Sequence, residues 1–208
     1  MNFTMRPFGL PRWLSANRGS AAIEFAFIAP VFFALMLGIL EIGVMTFAQF
    51  AMQNAVTDAG RLIRTGQAQD ATALISSGIP MAQCTKDPGS PQVMFATPGD
   101  WFKSQICCGI VTLMDCSKLT VTVAAPATGF SGGFASLGPA GSYTPGTACS
   151  VVLVRADYIW TVWFPGLAQL LNANATPDFL VNSGSNGRLL SGTTAFRNEP
   201  FNSGVAGC

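Results

Sequence analysis

The chain has no histidine among its 208 residues. That absence removes the commonest general base near neutral pH and the commonest metal ligand. Charge is also scarce. Asp, Glu, Lys and Arg make up 10% of the chain, against roughly 25% in an ordinary soluble domain. The formal net charge is +1, so there is no basic field for a nucleic acid. No CxxC pair occurs among the six cysteines, and Cys107, Cys108 and Cys116 have the wrong spacing for zinc. No GxSxG, HExxH or P-loop is present. The run Gly129-Phe130-Ser131-Gly132-Gly133 lacks the lysine and the strand–loop–helix frame of a nucleotide site. The acidic residues are too scattered to nominate a catalytic pair. The expectation is a protein that is not an enzyme, with no cofactor, no metal, no nucleic-acid partner and no small-molecule substrate.

What the chain does have is apolar surface. Hydrophobic residues make up 50% of it. Between positions 21 and 40 only Glu24 is charged, and about 20 apolar residues of helix cross a bilayer. Residues 1–18 carry Arg6, Arg12 and Arg18 and no acid. Pro7 and Pro11 argue against a regular helix there. A basic flank before an apolar run stays on the cytoplasmic side. It has the character of a secretory n-region, but no small-x-small site ends the run, which is too long for an h-region. The segment reads as a retained anchor with its amino end in the cytoplasm.

The periodicity continues past the span. Val44, Ala48, Met52, Ala55, Ala59 and Leu62 recur at helical spacing, with polar residues mainly on other faces. Arg61 and Arg64 suit the negative end of the helix dipole, and Gly66 supplies a stop. A helix over 20–65 would be about 69 Å long at about 1.5 Å per residue. Its second half is expected to project from the membrane as a stalk, and Pro30 is expected to bend its first half. Glu41, at the far end of the apolar run, suits an interfacial position.

After Gly66 the composition turns to loop formers. A short helix is expected around 72–75. Asp100 would cap a helix running through Phe102, Ile106, Ile110 and Leu113. Strands are expected at 119–123, 151–162 and 189–199, the last ended by Pro200. The middle one is the strongest. Its even-numbered residues, Val152 to Trp160 and Val162, should form the core face, and Arg155 and Asp157 the other. Arg197 and Glu199 suggest cross-strand charge pairing on a solvated sheet face. Residues 126–149 read as a long loop, and Pro165-Gly166 as a turn. The fold class is α+β: a basic leader at 1–19, a membrane and projecting helix at 20–66, and at 67–208 an extracytoplasmic domain with a small antiparallel sheet and one or two short helices. An even cysteine count beyond a membrane segment indicates disulfides in an oxidising compartment. Closeness in sequence pairs Cys116 with Cys107 or Cys108, provided the Cα atoms come within roughly 4.4–6.8 Å.

One segment carries functional information. Gly19-Ser20-Ala21-Ala22-Ile23-Glu24-Phe25 follows Arg18 and opens the apolar run. A glycine, small or apolar residues, a glutamate and an aromatic form the layout that a prepilin peptidase recognises. Together with Ile28-Ala29-Pro30, Gly38-Ile39-Leu40-Glu41 and the closing 61–69 stretch, it resembles the TadE-like family of tight-adherence (Flp) pilus assembly proteins. The resemblance resumes at 116–123, 154–158 and 196–201, and the doublet Cys107-Cys108 departs from it, since one cysteine is expected there. It implies a minor pilin or pseudopilin of the bacterial inner membrane, with its carboxyl domain in the periplasm, matured by cleavage between Gly19 and Ser20. Its partners would be the membrane, the prepilin peptidase, other pilins or pseudopilins and the assembly platform. Glu24 and Phe25 would then serve recognition and assembly.

Glu24 also has a plainer role open to it, as an acid at a helix start. Cleavage would free an α-amine at Ser20, one helical turn from Glu24 and on the same face. Two other functions fit the residues alone. One is an uncleaved, signal-anchored structural or adhesive protein. The other is an anchored hydrolase or redox protein using a free thiol.

Overall fold

The computed structural model describes residues 19–110, 114–126, 138–163 and 187–201. Helix α1 spans Gly19–Arg64 and continues through Pro30 without interruption. Gly66 ends it in the left-handed region at φ 87°, and α2 (Gln67–Ser76) starts immediately after. A side chain at Gly66 would be strained by that φ and would also meet the ring of Phe201, whose Cγ lies 2.6 Å from where a Cβ would stand. Strands β1 (Met81–Ala82) and β2 (Gln92–Val93) form a small antiparallel pair that the sequence did not announce. Helix α3 spans Pro98–Cys107. Its cap is Thr97, which accepts from the Asp100 N–H while Asp100 reaches back to Thr97, so Asp100 is the third residue of a capping box and not the cap itself. A 3-10 turn at Cys116–Lys118 leads into β3 (Thr120–Ala124), followed by β4 (Val151–Thr161) and β5 (Gly187–Arg197). These make an antiparallel sheet in the order β3-β4-β5, with the strong strand central as expected. The class is α+β. Leu113, the turn at Pro165-Gly166 and parts of the loop at 126–149 lie outside the described residues.

The chain divides into two compact units between Leu40 and Glu41. Before the division, nearly every side chain of α1 from residue 21 is exposed. After it, α1 is a core element. Ala48, Met52, Ala55, Val56, Ala59 and Ile63 are buried together with Ala68, Ala71 and Ile75 of α2, Trp101, Phe102 and Ile106 of α3, and Val152, Val154 and Ala156 of β4. The expected stalk does not exist: the outer domain is built around that half of the helix. The buried stripe also differs in detail. Val56 and Ile63 belong to it, while Val44 is exposed and Leu62 only partly covered. The small residues explain the close fit. A Cβ on Gly192 of β5 would stand 3.1 Å from Val56 Cγ2 and 3.3 Å from the Met52 carbonyl oxygen.

Both edges of the three-stranded sheet are covered. On the β5 edge, Gln49 Nε2 donates to Ser191 O at 2.7 Å, and Gln53 donates to Thr193 O at 2.7 Å and accepts from Thr193 N at 3.1 Å. These two glutamines, one turn apart on α1, give an edge strand the partners it lacks. On the β3 edge, Val123 N donates to Ser142 O at 2.8 Å and Thr144 N to Val123 O at 2.9 Å. Between them, Tyr143 stacks against Phe102 with ring centroids 5.6 Å apart. Burial pushes the Tyr143 phenol up to about 12, and its buried hydroxyl has no hydrogen-bond partner among the described residues.

The face of β4 opposite the core corrects the expected surface pairing. Asp157 is buried, and Arg155 Nε lies 2.8 Å from Asp157 Oδ2 and 2.9 Å from Oδ1. The two are neighbours along one strand, not across strands. The charges of 197 and 199 go elsewhere too. Arg197 Nε donates to Cys149 O, and Glu199 pairs with Arg64 at the end of α1. Trp160, expected in the core, is only partly buried.

Two predictions follow from this packing. Gly192→Val should destabilise the outer domain by about 1–3 kcal/mol through overpacking against α1, with Gly192→Ala milder, measured by denaturant unfolding in detergent. The second concerns alkaline pH. An unfolded tyrosine ionises near 10, so between about 10 and about 12 the folded chain binds more protons than the unfolded one. The contribution of Tyr143 is therefore fully present below that window, and stability should fall as pH rises through it. Tyr143→Phe should flatten that part of a stability–pH curve.

Candidate functional site

The described part of helix α1 opens at Gly19. Glu24 lies in the second turn with its side chain exposed, next to Phe25, which is exposed as well. Ser20 and Glu24 stand four residues apart on one helix, which places them on one face. The leader at 1–18 lies outside the described residues. From Ile23 to Leu40 the large apolar side chains Phe25, Phe27, Ile28, Val31, Phe32, Leu35 and Ile39 are all exposed. A soluble monomer rarely shows an apolar patch beyond a few hundred Å², so lipid or neighbouring helices must cover this surface. The best window of α1 has a mean hydropathy of 2.3 and is long and apolar enough to cross a membrane.

A second constellation sits at the other end of α1. Arg64 Nε lies 3.1 Å from Glu199 Oε1, and Glu199 N donates to Arg64 O at 2.9 Å. Phe201 packs at Gly66 and Phe196 at Gly60. The stretch after β5 thus closes over the end of α1, satisfying a terminal carbonyl as it does so. Asn198 adds to the closure, donating from Nδ2 to Pro145 O at 3.1 Å and Thr147 O at 2.9 Å.

The third feature is sulfur. Cys107 pairs with Cys116, Cα atoms 5.8 Å apart, and Cys108 pairs with Cys84, Cα atoms 5.9 Å apart. The adjacent cysteines at the end of α3 therefore point to two different partners. Cys149 is also in a disulfide, and no cysteine is free among the described residues. Among the described residues, then, no cysteine offers the free thiol that the redox reading needs. Gln105, buried on α3, holds the β1–β2 segment in place: its Oε1 accepts from Thr85 N at 2.8 Å and its Nε2 donates to Ala82 O at 3.3 Å. A cleft of about 620 Å³ runs beside both bridges, lined by Asp87, Asp100 and Lys103 among others. Among the described residues no group of three His, Cys, Asp or Glu side chains is placed to hold a metal ion.

Residues 19–61 match the family model described as TadE-like protein. The match starts at Gly19 and ends in the last turn of α1. No curated protein and no solved structure matches the chain. The matched segment therefore covers the exposed apolar half of the helix and most of the half that is buried in the core. The match does not extend to 116–123, 154–158 and 196–201, where further resemblance was expected. Those stretches fall on the turn into β3, on the centre of β4, and on the stretch that closes over Arg64 and Gly66. Pieces far apart in sequence are thus contacts in the fold. Sequence reasoning missed Gln49, Gln53 and Gln105, since nothing in a local pattern marks a glutamine that meets a distant backbone. It also left Cys84 without a partner.

The pairing is directly testable. Non-reducing peptide mapping should recover Cys84 linked to Cys108 and Cys107 linked to Cys116. Loops of these two lengths predict a loss of about 3.5 kcal/mol for Cys84→Ser with Cys108→Ser, and about 2.5 kcal/mol for Cys107→Ser with Cys116→Ser. Recovery of Cys116 linked to Cys108 would contradict the arrangement.

Proposed function

We propose that this protein is a pilin-like subunit, a minor pilin or pseudopilin, of a tight-adherence pilus system, matured by a prepilin peptidase that cuts between Gly19 and Ser20. The observation that carries the reading is a coincidence at one position: the family match begins at Gly19, where the sequence changes from a basic leader to an apolar run. The chain acts by assembly and has no catalytic role of its own. The leader stays in the cytoplasm, α1 crosses the inner membrane once, and the disulfide-bonded domain lies in the periplasm.

The chemistry of each site residue follows from this. Gly19 has no side chain, so the backbone can lie close in a protease cleft. Cleavage frees the α-amine of Ser20. In a bundle of helices within lipid, Glu24 of one subunit neutralises the amine of a neighbour, and an unpaired carboxylate there is costly. That cost selects the register between subunits. Phe25 adds the aromatic of the recognition layout. An uncleaved anchor is the outcome that would defeat this reading.

Two substitutions separate the steps. Gly19→Leu should block maturation and leave the chain heavier by its leader, as read by intact mass in cells that hold the cognate peptidase. Glu24→Gln should leave the fold, the disulfides and membrane insertion unchanged, yet lower incorporation into the pilus or its assembly platform. An intact leader on the wild-type chain in such cells overturns the first step, and normal piliation with Glu24→Gln overturns the second.

A further inference from the structure

The apolar run ends at Leu40, and Glu41 is the first residue beyond it. The Glu41 carboxylate accepts the backbone N–H of Trp163, just past the end of β4. That bond holds the Trp163 backbone beside residue 41, while its indole is 85% exposed, the most open large apolar side chain among the described residues. Nearby, Trp160 of β4 is paired in register with Arg188 at the start of β5. Arg188 in turn lines a cleft together with Met45, Thr46 and Gln49 of α1. One end of the outer domain therefore sets an indole beside residue 41 and an arginine beside residues 45–49. Val44 and Phe47 are exposed on the same stretch of α1.

The headgroup region on each side of a bilayer is about 5–7 Å thick. Helix α1 rises about 6–7 Å from Glu41 to Met45 and Thr46. An indole is most stable at the boundary between acyl chains and headgroups, because it is apolar in body and carries one donor. A guanidinium pairs well with phosphate. Along α1, the Trp163 backbone is held at Glu41, and Arg188 borders the helix one to two turns further from the apolar run.

We propose that this end of the outer domain, formed by residues 41–47 of α1, Trp163 and the start of β5, docks on the lipid surface, with the Trp163 indole at the acyl boundary and Arg188 on lipid phosphates. The domain is then held against the membrane by its own rim as well as by its anchor. This rests on α1 crossing the bilayer, and is independent of cleavage at Gly19.

The test uses the full chain reconstituted into phosphatidylcholine–phosphatidylglycerol vesicles that contain lipid brominated either near the carbonyl end or near the methyl end of the acyl chain. Flotation with the vesicles tests the anchor separately. The emission lost in Trp163→Phe isolates this indole from Trp13, Trp101 and Trp160, and an exposed site tolerates the change. That component should be quenched by shallow bromines and spared by deep ones, and Arg188→Glu should shift it to the red. Protein that floats but whose Trp163 component neither bromine position quenches overturns the docking and leaves the anchor standing. Shielding from acrylamide without bromine quenching would put the indole against another protein copy and also overturns it. Failure to float removes the anchor and the docking together.

Discussion

The outer domain depends on the burial of one helical stripe, Ala48 to Ile63 of α1. Two other helices and the main sheet take their places against it. Three of its buried residues are alanines, and Gly60 and Gly192 lie on the contact with β5, so helix and strand backbones come close. Close approach raises the number of dispersion contacts that small side chains would otherwise forgo. A helix that is exposed and apolar before Glu41 and packed into protein after it must change its surface chemistry along its length. It does so by changing from large exposed side chains such as Phe27, Phe32 and Leu35 to small buried ones.

A chain with few charges has to settle its polar groups internally, and the structure shows how. The sheet edges are occupied by Gln49, Gln53 and the Ser142–Thr144 segment. The charge of Asp157 is buried but held by Arg155. A buried carboxylate stripped of its partner is costly, so this pair fixes the local geometry more than it adds net stability. The disulfides act on the part of the domain with the least regular structure. They tie α3 both to the β1–β2 segment and to the turn before β3.

Function on this reading is a matter of surfaces, and each surface belongs to a different part of one helix. The start of α1 offers Gly19, Ser20 and Glu24 to a peptidase and to neighbouring subunits. The middle, near Glu41, meets Trp163. The end is closed by Glu199 and Phe201. Substitutions in these three zones should therefore be separable, because additivity holds for sites that share no contacts.

The sequence alone determined what local chemistry can determine. The apolar run, the glycine stop at residue 66, the place of the strongest strand and the layout around Gly19 all follow from side-chain periodicity and backbone freedom within one segment. Periodicity could not say what would cover the stripe at 48–63, because an amphipathic helix looks the same whether it meets its own domain or another chain. Hence a stalk was expected where a core helix exists. The capping role passed from Asp100 to Thr97 because a capping box leaves two polar residues that a pattern cannot rank. Asp157 was expected on a solvated face, since strand alternation gives a side but not what lies over it. Above all, the choice of Cys107 for Cys116 and of Cys108 for Cys84 belongs to tertiary structure. Adjacent cysteines at a helix end point in directions that only the fold fixes, and a disulfide forms where two Cα atoms are brought within reach.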